Sequence, residues 1–436
     1  MQYPEFHHLA YRNLNIQNDK IDAEGMAGKS GHPGSRQIII FPHDFDRRSF
    51  CRWRDESSIN NVAHSKDFRE SAPTETKTDS AELIFFDHLG IGLLNLKDPQ
   101  KLKWLRKRAR RNRAVQTLRP ETRLGILEET SFPTVKTYSS GNVHRTFNDN
   151  SRHTWAMQAC GLTLSRHNGR GARIAILDTG IDLIHPDWQN RPFLYRSFLE
   201  SSIQDEHGHG TQCAGVAAGQ ATGLDQPRFG AAPQADLFIA KVLEKDGTGP
   251  DSAILAAVDW ALGKNCHVVS LSVGVQSADL TCDPVYEAVA RRCLKAGMLF
   301  MAAAGNDSQR PQTLRPVCRP ASCPSIFAVG AVDRHLRMAR FSNVTGAPGY
   351  AQVDAVAPGV DIYTTTSGPA LYGRYSGTSM STPLCAGIAA VLIQDDPDCL
   401  GTALWHKLTT FAHRLPLPST DVGAGMLSVR ALRYPQ

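Results

Sequence analysis

The chain has 436 residues, a formal net charge of +6, 41% hydrophobic residues and 21% charged residues. This composition indicates a soluble, globular protein. The length suits two or three domains, one of them large. No apolar run reaches the roughly 18 residues that a membrane span requires, so the sequence predicts no transmembrane segment.

The N-terminal residues and the cysteines bear on the cellular compartment. Residues 1–20 lack the basic start, apolar stretch and cleavage site of a secretory signal. The ten cysteines are too few and too irregularly spaced for a disulfide framework. Both features favour the cytoplasm over secretion. Cys318 and Cys323 are close enough in sequence to form a bridged loop if the protein meets an oxidising compartment.

A basic run occupies residues 101–113, with eight lysines or arginines and no acidic residue. Trp104 is its single aromatic residue, so the run lacks the interleaved aromatic side chains of many nucleic-acid-binding surfaces. Leu102 and Leu105 suit the buried side of a helix whose other side is solvated. We therefore favour a solvated helix face over a nucleic-acid site, with an acidic partner surface as the alternative.

The first part of the chain predicts a small domain. Residues 1–36 are polar and are predicted to be poorly ordered. Residues 37–119 then predict the order strand, helix, strand, strand, helix, strand, which is typical of an α+β domain of the ferredoxin-like type. The predicted elements are a strand at 36–42, a helix near 55–70, two strands within 82–96, a helix over 98–112 and a strand within 114–120. Residues 120–153 show no steady period and predict an exposed linker.

The chain changes character at about residue 154. Apolar, β-rich segments such as ARIAIL (172–177) and MLFMAAA (298–304) alternate with helical segments such as DSAILAAVDWALGK (251–264). Near-continuous apolar strands separated by helices are typical of a mostly parallel sheet with helices on both faces. Residues 154–436 therefore predict a large α/β domain, whose functional residues would follow the carboxyl ends of its strands.

Four polar residues stand where such a domain would carry function. Asp178 and Asn306 each follow a predicted strand, His209 stands between two glycines, and Ser379 opens a predicted helix. Taken singly, each has an ordinary alternative as a turn or cap residue, and His207 with His209 could bind zinc, although no third ligand has a recognisable spacing. Together they supply the groups for acyl transfer, and the chain order Asp, His, Ser is a known order of the catalytic triad. A lipase or esterase would require the order Ser, Asp, His.

Residues 154–436 resemble a subtilisin-type serine protease, a member of the subtilase family. The matching segments are AILDTGID (175–182), GHGTQCAG (208–215), SLSVG (270–274), AAAGND (302–307) and GTSMSTP (377–383). The resemblance implies an endopeptidase in which Ser379 attacks the scissile carbonyl of a polypeptide substrate. His209 would accept the serine proton, Asp178 would orient His209, and Asn306 with the backbone N–H of Ser379 would bind the oxyanion.

The resemblance also implies how an extended peptide would bind. DGTGP (246–250) and SLSVG (270–274) would clamp it by strand addition. Ala303 and Gly305 would line the primary pocket, with a floor near Cys318 and Arg319, and Asp307 would favour a basic side chain there. The backbone contacts would come from Gly247, Gly249, Ser272 and Gly274. Cys213, one helical turn after His209, is expected to be a small core thiol.

The front part of the chain then has two interpretations. Residues 37–119 resemble a subtilase pro-domain in size, element order and position, which implies an intramolecular inhibitor that is removed by self-cleavage within about 113–153. The alternative is a permanent accessory domain. A subtilase-fold binding module without activity is a further alternative, but no triad residue is missing. We expect no cofactor and no metal, because the loop at 219–230 lacks the asparagine-rich form of a common structural calcium site in the family.

Overall fold

The structure is a computed structural model of the chain. It describes residues 36–42, 47–67, 81–96, 98–109, 115–127, 146–189, 191–222, 226–276, 282–346 and 351–429. Three segments with predictions lie outside these ranges. They are the first 35 of the residues 1–36 that were predicted to be poorly ordered, residues 110–113 at the end of the basic run, and the central part of the predicted linker. In the described ranges, no helix is long and apolar enough to cross a membrane.

The front part of the chain forms a small α+β unit. Its elements are β1 (Arg36–Ile40), α1 (Arg47–Glu56), β2 (Val62–His64), β3 (Leu83–Phe86), β4 (Ile91–Asn95), α2 (Pro99–Ala109) and β5 (Thr117–Pro120). The strands form one sheet in the order β2-β3-β4-β1-β5. β1 pairs antiparallel with β4 and β5, and β3 pairs antiparallel with β4. This is the predicted ferredoxin-like arrangement, with the short strand β2 added parallel to β3.

The first helix lies earlier in the chain than predicted. The polar stretch near 55–70 was expected to be helical, but α1 covers Arg47–Glu56. Phe50 and Trp53, three residues apart, share one face of α1, and their ring centroids lie 5.6 and 4.9 Å from that of Phe41. The helix therefore forms where an apolar face can be buried, because tertiary packing supplies most of the stability of a short helix.

Successive residues of β1 contribute to two different cores. Ile39, with Phe41 just after the strand, packs against Trp53 and the other side chains between the sheet and its own helices. Ile38 and Ile40 belong to the core of the large domain. Side chains alternate across a strand, so both faces of the front sheet are buried. This explains why residues 38–41, IIIF, are apolar without alternating polar residues.

The rest of the chain forms a large α/β domain. The strand β6 (Arg123–Ile126) precedes this domain in the chain. The strands of the domain itself are β7 (Arg173–Asp178), β8 (Leu194–Ser197), β9 (Asp236–Lys241), β10 (Thr248–Pro250), β11 (Val268–Leu271), β12 (Val273–Gly274), β13 (Leu299–Ala303), β14 (Phe327–Val332), β15 (Ala355–Pro358), β16 (Ile362–Thr365) and β17 (Tyr372–Tyr375). Its helices are α3 (Trp155–Ala159), α4 (Pro186–Gln189), α5 (His209–Ala218), α6 (Asp251–Gly263), α7 (Pro284–Lys295), α8 (Thr378–Asp395), α9 (Thr402–Phe411) and α10 (Ser419–Val422).

A seven-stranded parallel sheet forms the centre of this domain. Its strand order is β15-β14-β13-β11-β7-β9-β8, and every pair in it is parallel. All residues of β11, β13 and β14 are buried. Helix α8 packs along several of these strands and against α5, which is why its sequence is apolar on all sides. The predicted α/β fold class is confirmed.

The predicted linker, residues 120–153, is structured at both ends. Residues 123–126 form β6. Phe147 packs into the core of the large domain, and its N–H donates to the carbonyl oxygen of Arg334 at 3.0 Å. Both ends are held by residues that are distant in sequence. A local hydrophobic period in the sequence therefore could not predict that these ends are ordered.

The front sheet is attached to helices α6 and α7 of the large domain. The buried carboxylate of Asp259 on α6 accepts hydrogen bonds from the N–H groups of His88 and Leu89, each at 2.8 Å. Arg292 on α7 donates to the carbonyl oxygens of Phe41 and Leu89. Hydrogen bonds to charged groups are stronger than neutral ones. The two units therefore share both a hydrophobic core and charge-assisted contacts.

The buried sheet leads to a stability prediction. Truncating Leu299, which is fully buried in β13, to alanine should lower the free energy of unfolding by about 3 kcal/mol, because it leaves a cavity in a closely packed core. The matched control is Leu314→Ala, at a side chain that is 51% exposed, which should change it by less than about 0.5 kcal/mol. Both variants are compared with the wild type by denaturant unfolding. Equal midpoints for the two variants would contradict the prediction.

Candidate active site

Asp178 and His209 are in direct contact at the carboxyl edge of the parallel sheet. Asp178 is the last residue of β7, and His209 is the first residue of α5. His209 Nδ1 lies 2.8 Å from Asp178 Oδ1 and 3.0 Å from Oδ2. Both side chains are buried. A carboxylate at this distance fixes the orientation of the ring and favours a proton on Nδ1.

Opposing effects act on the pKa of His209. Burial lowers this pKa, but the negative charge of Asp178, with a smaller contribution from Cys213, outweighs burial and raises the pKa well above its usual value. His209 Nε2 is buried and has no hydrogen-bond partner among the described residues. Because most buried polar atoms are paired, the unpaired ring nitrogen makes His209 a candidate for contact with a ligand.

Ser379 is connected to His209 through contacts with Cys213. It is the second residue of α8 and is 3% exposed. Its backbone carbonyl oxygen accepts a hydrogen bond from Ser272 Oγ at 2.9 Å and lies 3.5 Å from Cys213 Sγ. Cys213 Sγ in turn lies 3.8 Å from His209 Nδ1. Cys213 is therefore a buried thiol between the two residues, and burial raises its pKa to about 11.

The side-chain amide of Asn306 has a fixed orientation. Asn306 Oδ1 accepts hydrogen bonds from the backbone N–H of Thr378 at 2.9 Å and from its hydroxyl at 2.8 Å. This leaves Nδ2 free to donate in another direction. A Cβ atom added to Gly377, which has φ +151°, would lie 2.6 Å from Ser379 Oγ and 3.2 Å from Asn306 Nδ2. The serine hydroxyl and the asparagine amide therefore flank one point in space, and only glycine leaves room between them.

The groove beside this pocket is filled by the chain itself. β6 lies between β10 and β12 in a three-stranded antiparallel sheet. The paired residues are Arg123 with Pro250, Leu124 with Gly249, Gly125 with Thr248 and with Gly274, and Ile126 with Val273. The N–H of Ile126 also donates to the carbonyl oxygen of Gly247 at 2.9 Å. β10 and β12 belong to the two segments that were predicted to clamp an extended peptide.

Leu127, the residue after β6, occupies the end of the groove. Its carbonyl oxygen accepts a hydrogen bond from Asn306 Nδ2 at 2.8 Å. Its side chain packs against Ala303 and Cys318. The peptide carbonyl of Leu127 is thus bound by the same amide that flanks the hydroxyl of Ser379.

Not all predicted substrate-binding residues contact this strand. Those that contact β6 or Leu127 are Gly247, Gly249, Gly274 and Ala303. Ser272 instead supports the backbone of Ser379 through its hydroxyl. Gly305, with φ +116°, lies behind the pocket, where its N–H donates to Thr378 Oγ1 at 3.2 Å.

The sequence left open a bridge between Cys318 and Cys323 in an oxidising compartment, and the structure does not pair these two thiols. Cys318 Sγ contacts the carbonyl oxygen of Ala303 at 3.6 Å, on the side of the Leu127 pocket. Cys323 Sγ lies 2.6 Å from Cys282 Sγ, next to the start of α7. The intervening turn, in which the N–H of Cys323 donates to the carbonyl oxygen of Pro320 at 3.1 Å, directs the two thiols to different neighbours.

The sequence suggested that Asp307 favours a basic side chain, and it offered zinc binding by His207 and His209 only as a disfavoured alternative. The carboxylate of Asp307 accepts hydrogen bonds from the side-chain amides of Gln276 at 2.6 Å and Asn343 at 3.1 Å, so it already has two partners within the protein. In the described part of the chain, the potential metal ligands around His209 are Asp178 and Cys213, and His207 is not among them.

Asp205 is a further residue of the site that was not predicted from the sequence. Its buried carboxylate accepts hydrogen bonds from the N–H groups of Gly208 at 2.7 Å and Thr211 at 2.8 Å, and from the hydroxyl of Thr179 at 2.8 Å. Burial raises the pKa of Asp205, but these hydrogen bonds outweigh it and lower the pKa. Asp205 thereby anchors the start of α5 and the loop after Asp178. An aspartate just before a helix was the signal that could have identified it.

Leu127 was also missed, because β6 fell within the predicted linker. The available signal was the short apolar run LGIL (124–127) directly before the acidic residues EE (128–129). Such a run is too short to distinguish a strand from a loop, since its pairing partners lie far away in sequence.

The large domain is similar to known proteins. A family model described as the subtilase family matches residues 169–425. Subtilisin NAT of Bacillus subtilis subsp. natto is 34% identical over 278 residues, which cover 63% of this chain and 69% of that protein. Subtilisin of Bacillus pumilus is 33% identical over 278 residues, covering 63% of this chain and 95% of that protein. Subtilisin BL of Lederbergia lenta is 35% identical over 266 residues, covering 60% and 91%. The chain therefore belongs to the subtilase family and is a serine-type endopeptidase.

Proposed function

We propose that Asp178, His209 and Ser379 form the catalytic triad of this endopeptidase and that Asn306 contributes to its oxyanion hole. The observation that carries the proposal is the hydrogen bond of 2.8 Å from Asn306 Nδ2 to the carbonyl oxygen of Leu127. This donor lies where negative charge develops when a nucleophile adds to a peptide carbonyl. In this proposal the hydrogen-bonded Asp178–His209 pair supplies the base that a serine nucleophile requires.

The proposed roles of these four residues define the steps of peptide-bond hydrolysis. His209 Nε2 accepts the proton of Ser379 Oγ as that oxygen attacks the carbonyl carbon, and the carbonyl oxygen becomes an oxyanion held by Asn306 and the N–H of Ser379. The imidazolium, stabilised by Asp178, then donates its proton to the leaving amine as the C–N bond breaks. An ester remains on Ser379, and water activated by His209 hydrolyses it.

We propose in addition that the chain is a zymogen that cleaves its own bond between Leu127 and Glu128. β6 pairs with β10 and β12 as an extended substrate would. The side chain of Leu127 fills an apolar pocket, and its carbonyl oxygen is bound by Asn306. Glu128 follows Leu127 in the chain, so its nitrogen would be the leaving group.

The front unit would remain bound as an inhibitor after this cleavage. Arg119 in β5 lies 2.7 Å from Asp251, the first residue of α6, and 3.1 Å from Asp283, the residue before α7. This ion-pair cluster, the shared core and β6 do not depend on the bond after Leu127. Removing the inhibitor would therefore require a further step, such as digestion of the front unit.

Self-cleavage is tested by mass spectrometry of the purified chain over time. Wild type should yield a new N-terminus at Glu128, and Ser379→Ala should stay intact. Leu127→Met should still be cut, whereas Leu127→Asp should be cut at least about 10-fold more slowly, because a carboxylate would be buried in an apolar pocket. Equal splitting of wild type and Ser379→Ala would show a contaminating protease, and a stable wild type would favour the permanent accessory domain.

The oxyanion role of Asn306 is tested with a peptide substrate added to the processed enzyme. Asn306→Ala should lower kcat about 100- to 1000-fold with little change in KM, since the amide acts on charge that appears only in the transition state. Thermal unfolding of the variant in the Ser379→Ala background serves as the control for misfolding. A change confined to KM would contradict the assignment.

The raised pKa of His209 predicts the acidic limb of the pH profile. Activity requires neutral His209 and is lost as the pH falls through its pKa, so the limb in kcat/KM should lie above pH 6.5, the ordinary value for histidine. Asp178→Asn removes the charge that raises this pKa. We expect its limb to move to lower pH and its kcat to fall about 10⁴-fold. If the acidic limb stays at the same pH in Asp178→Asn, Asp178 is not the cause of the raised pKa of His209.

A further inference from the structure

We infer that Cys282 and Cys323 form a disulfide bond. This bond would anchor one wall of the Leu127 pocket, namely the loop from Cys318 to Cys323. Both are free thiols in this structure, and their sulfurs lie 2.6 Å apart. This site is separate from the triad, and its existence does not depend on the proposed function. Its effect on the pocket does rest on that function.

The distance between the sulfurs favours a bond over a shared metal ion. Two thiolates on one tetrahedral zinc would lie about 3.8 Å apart, given Zn–S distances of about 2.3 Å. The third potential ligand, Glu287, is already engaged, because its two oxygens accept hydrogen bonds from the N–H of Ser325 at 3.0 Å and from its hydroxyl at 2.8 Å. Little change in the positions of the two cysteines is needed to bring their sulfurs to the bonded distance of about 2.05 Å.

The bond would connect two parts of the chain that border the groove. Cys282 directly precedes Asp283, whose carboxylate caps α7 by accepting a hydrogen bond from the N–H of Val285 at 2.8 Å. Cys323 lies in the loop that begins at Cys318, the residue against which Leu127 packs. A bond between Cys282 and Cys323 would therefore attach the pocket wall to a capped helix.

The other end of this wall is attached already. Arg319 and Val275, the residue after β12, exchange two backbone hydrogen bonds, of 2.9 and 3.1 Å. With the disulfide, the wall would be held at Arg319 by β12 and at Cys323 by α7. A wall held at both ends keeps the width of the apolar pocket constant.

The oxidant is a low-molecular-weight disulfide such as oxidised glutathione. The half-buried Cys282 attacks it as a thiolate, which gives a mixed disulfide and releases one glutathione thiol. Cys323 then attacks the Cys282 sulfur and releases the second glutathione thiol, so two protein thiols and one glutathione disulfide become one protein disulfide and two glutathione thiols. Burial raises the pKa of Cys323 well above its usual value, so the second step should be faster at alkaline pH.

Peptide mapping tests the bond without any need for activity. Full-length Ser379→Ala protein is incubated at pH 8 with oxidised glutathione or with dithiothreitol, alkylated, digested and analysed by mass spectrometry. The oxidised sample should contain a peptide pair joined through Cys282 and Cys323, and the reduced sample should not. The matched control Cys318→Ser should still form this pair, whereas Cys282→Ser should not. Alkylation of both thiols after oxidation, a bond from Cys323 to another cysteine, or zinc bound by the reduced protein would each overturn the inference.

The anchoring role is tested in the processed wild-type enzyme. Reduction should lower its unfolding temperature by several degrees, and it should raise KM several-fold, with little change in kcat, for peptides with leucine before the scissile bond. In Cys282→Ser, neither the unfolding temperature nor KM should change on addition of reductant or oxidant. If the enzyme proves inactive, mapping and unfolding still decide the inference. Equal unfolding temperatures of the oxidised and reduced protein would reject the anchoring role.

Discussion

The alignment of three parallel strands is the constraint on which the site depends. In the sheet register, Leu177 of β7 pairs with Leu271 of β11, and Leu271 pairs with Ala302 of β13. The residues that follow these three, Asp178, Ser272 and Ala303, therefore come to the same edge. They are the proposed triad acid, the residue that binds the backbone of Ser379, and a wall of the Leu127 pocket. Parallel strands have their carboxyl ends on one side, so one register positions all three.

Buried charges around this edge are compensated by specific partners. Lys241, at the end of β9, is fully buried and donates to the carbonyl oxygen of Thr179 at 2.6 Å. Asp205 is saturated by N–H and hydroxyl donors, and Asp178 is paired with His209. Such pairing offsets the cost of removing charges from water. His209 Nε2 differs, since it is buried and unpaired among the described residues. A polar atom left unpaired within an otherwise compensated network is consistent with its proposed role as the catalytic base.

The front unit and the large domain are in contact through one continuous interface. The front sheet packs against α6 and α7, Arg119 reaches the starts of both helices, and β6 leads from there into the groove. The contacts of the front unit with the large domain therefore continue through β6 into the groove. This continuity accounts for both proposed roles, as substrate of the first cleavage and as inhibitor after it. The proposed disulfide joins Cys282 to Cys323, in the loop that begins at Cys318, and Cys318 packs against Leu127.

The sequence by itself determined the fold class and the residues proposed for catalysis. Apolar strands alternating with helices indicated the parallel sheet, and the motifs around Asp178, His209, Asn306 and Ser379 are local in sequence. The tertiary structure alone decided what lies opposite them. Leu127 and Asn306 are 179 positions apart, and Cys282 and Cys323 are 41 apart. Their contacts arise from strand addition and from the packing of a loop on a helix, which depend on the whole chain and leave no local period. For the same reason α1 was misplaced, because its position is set by burial of Phe50 and Trp53 against Phe41.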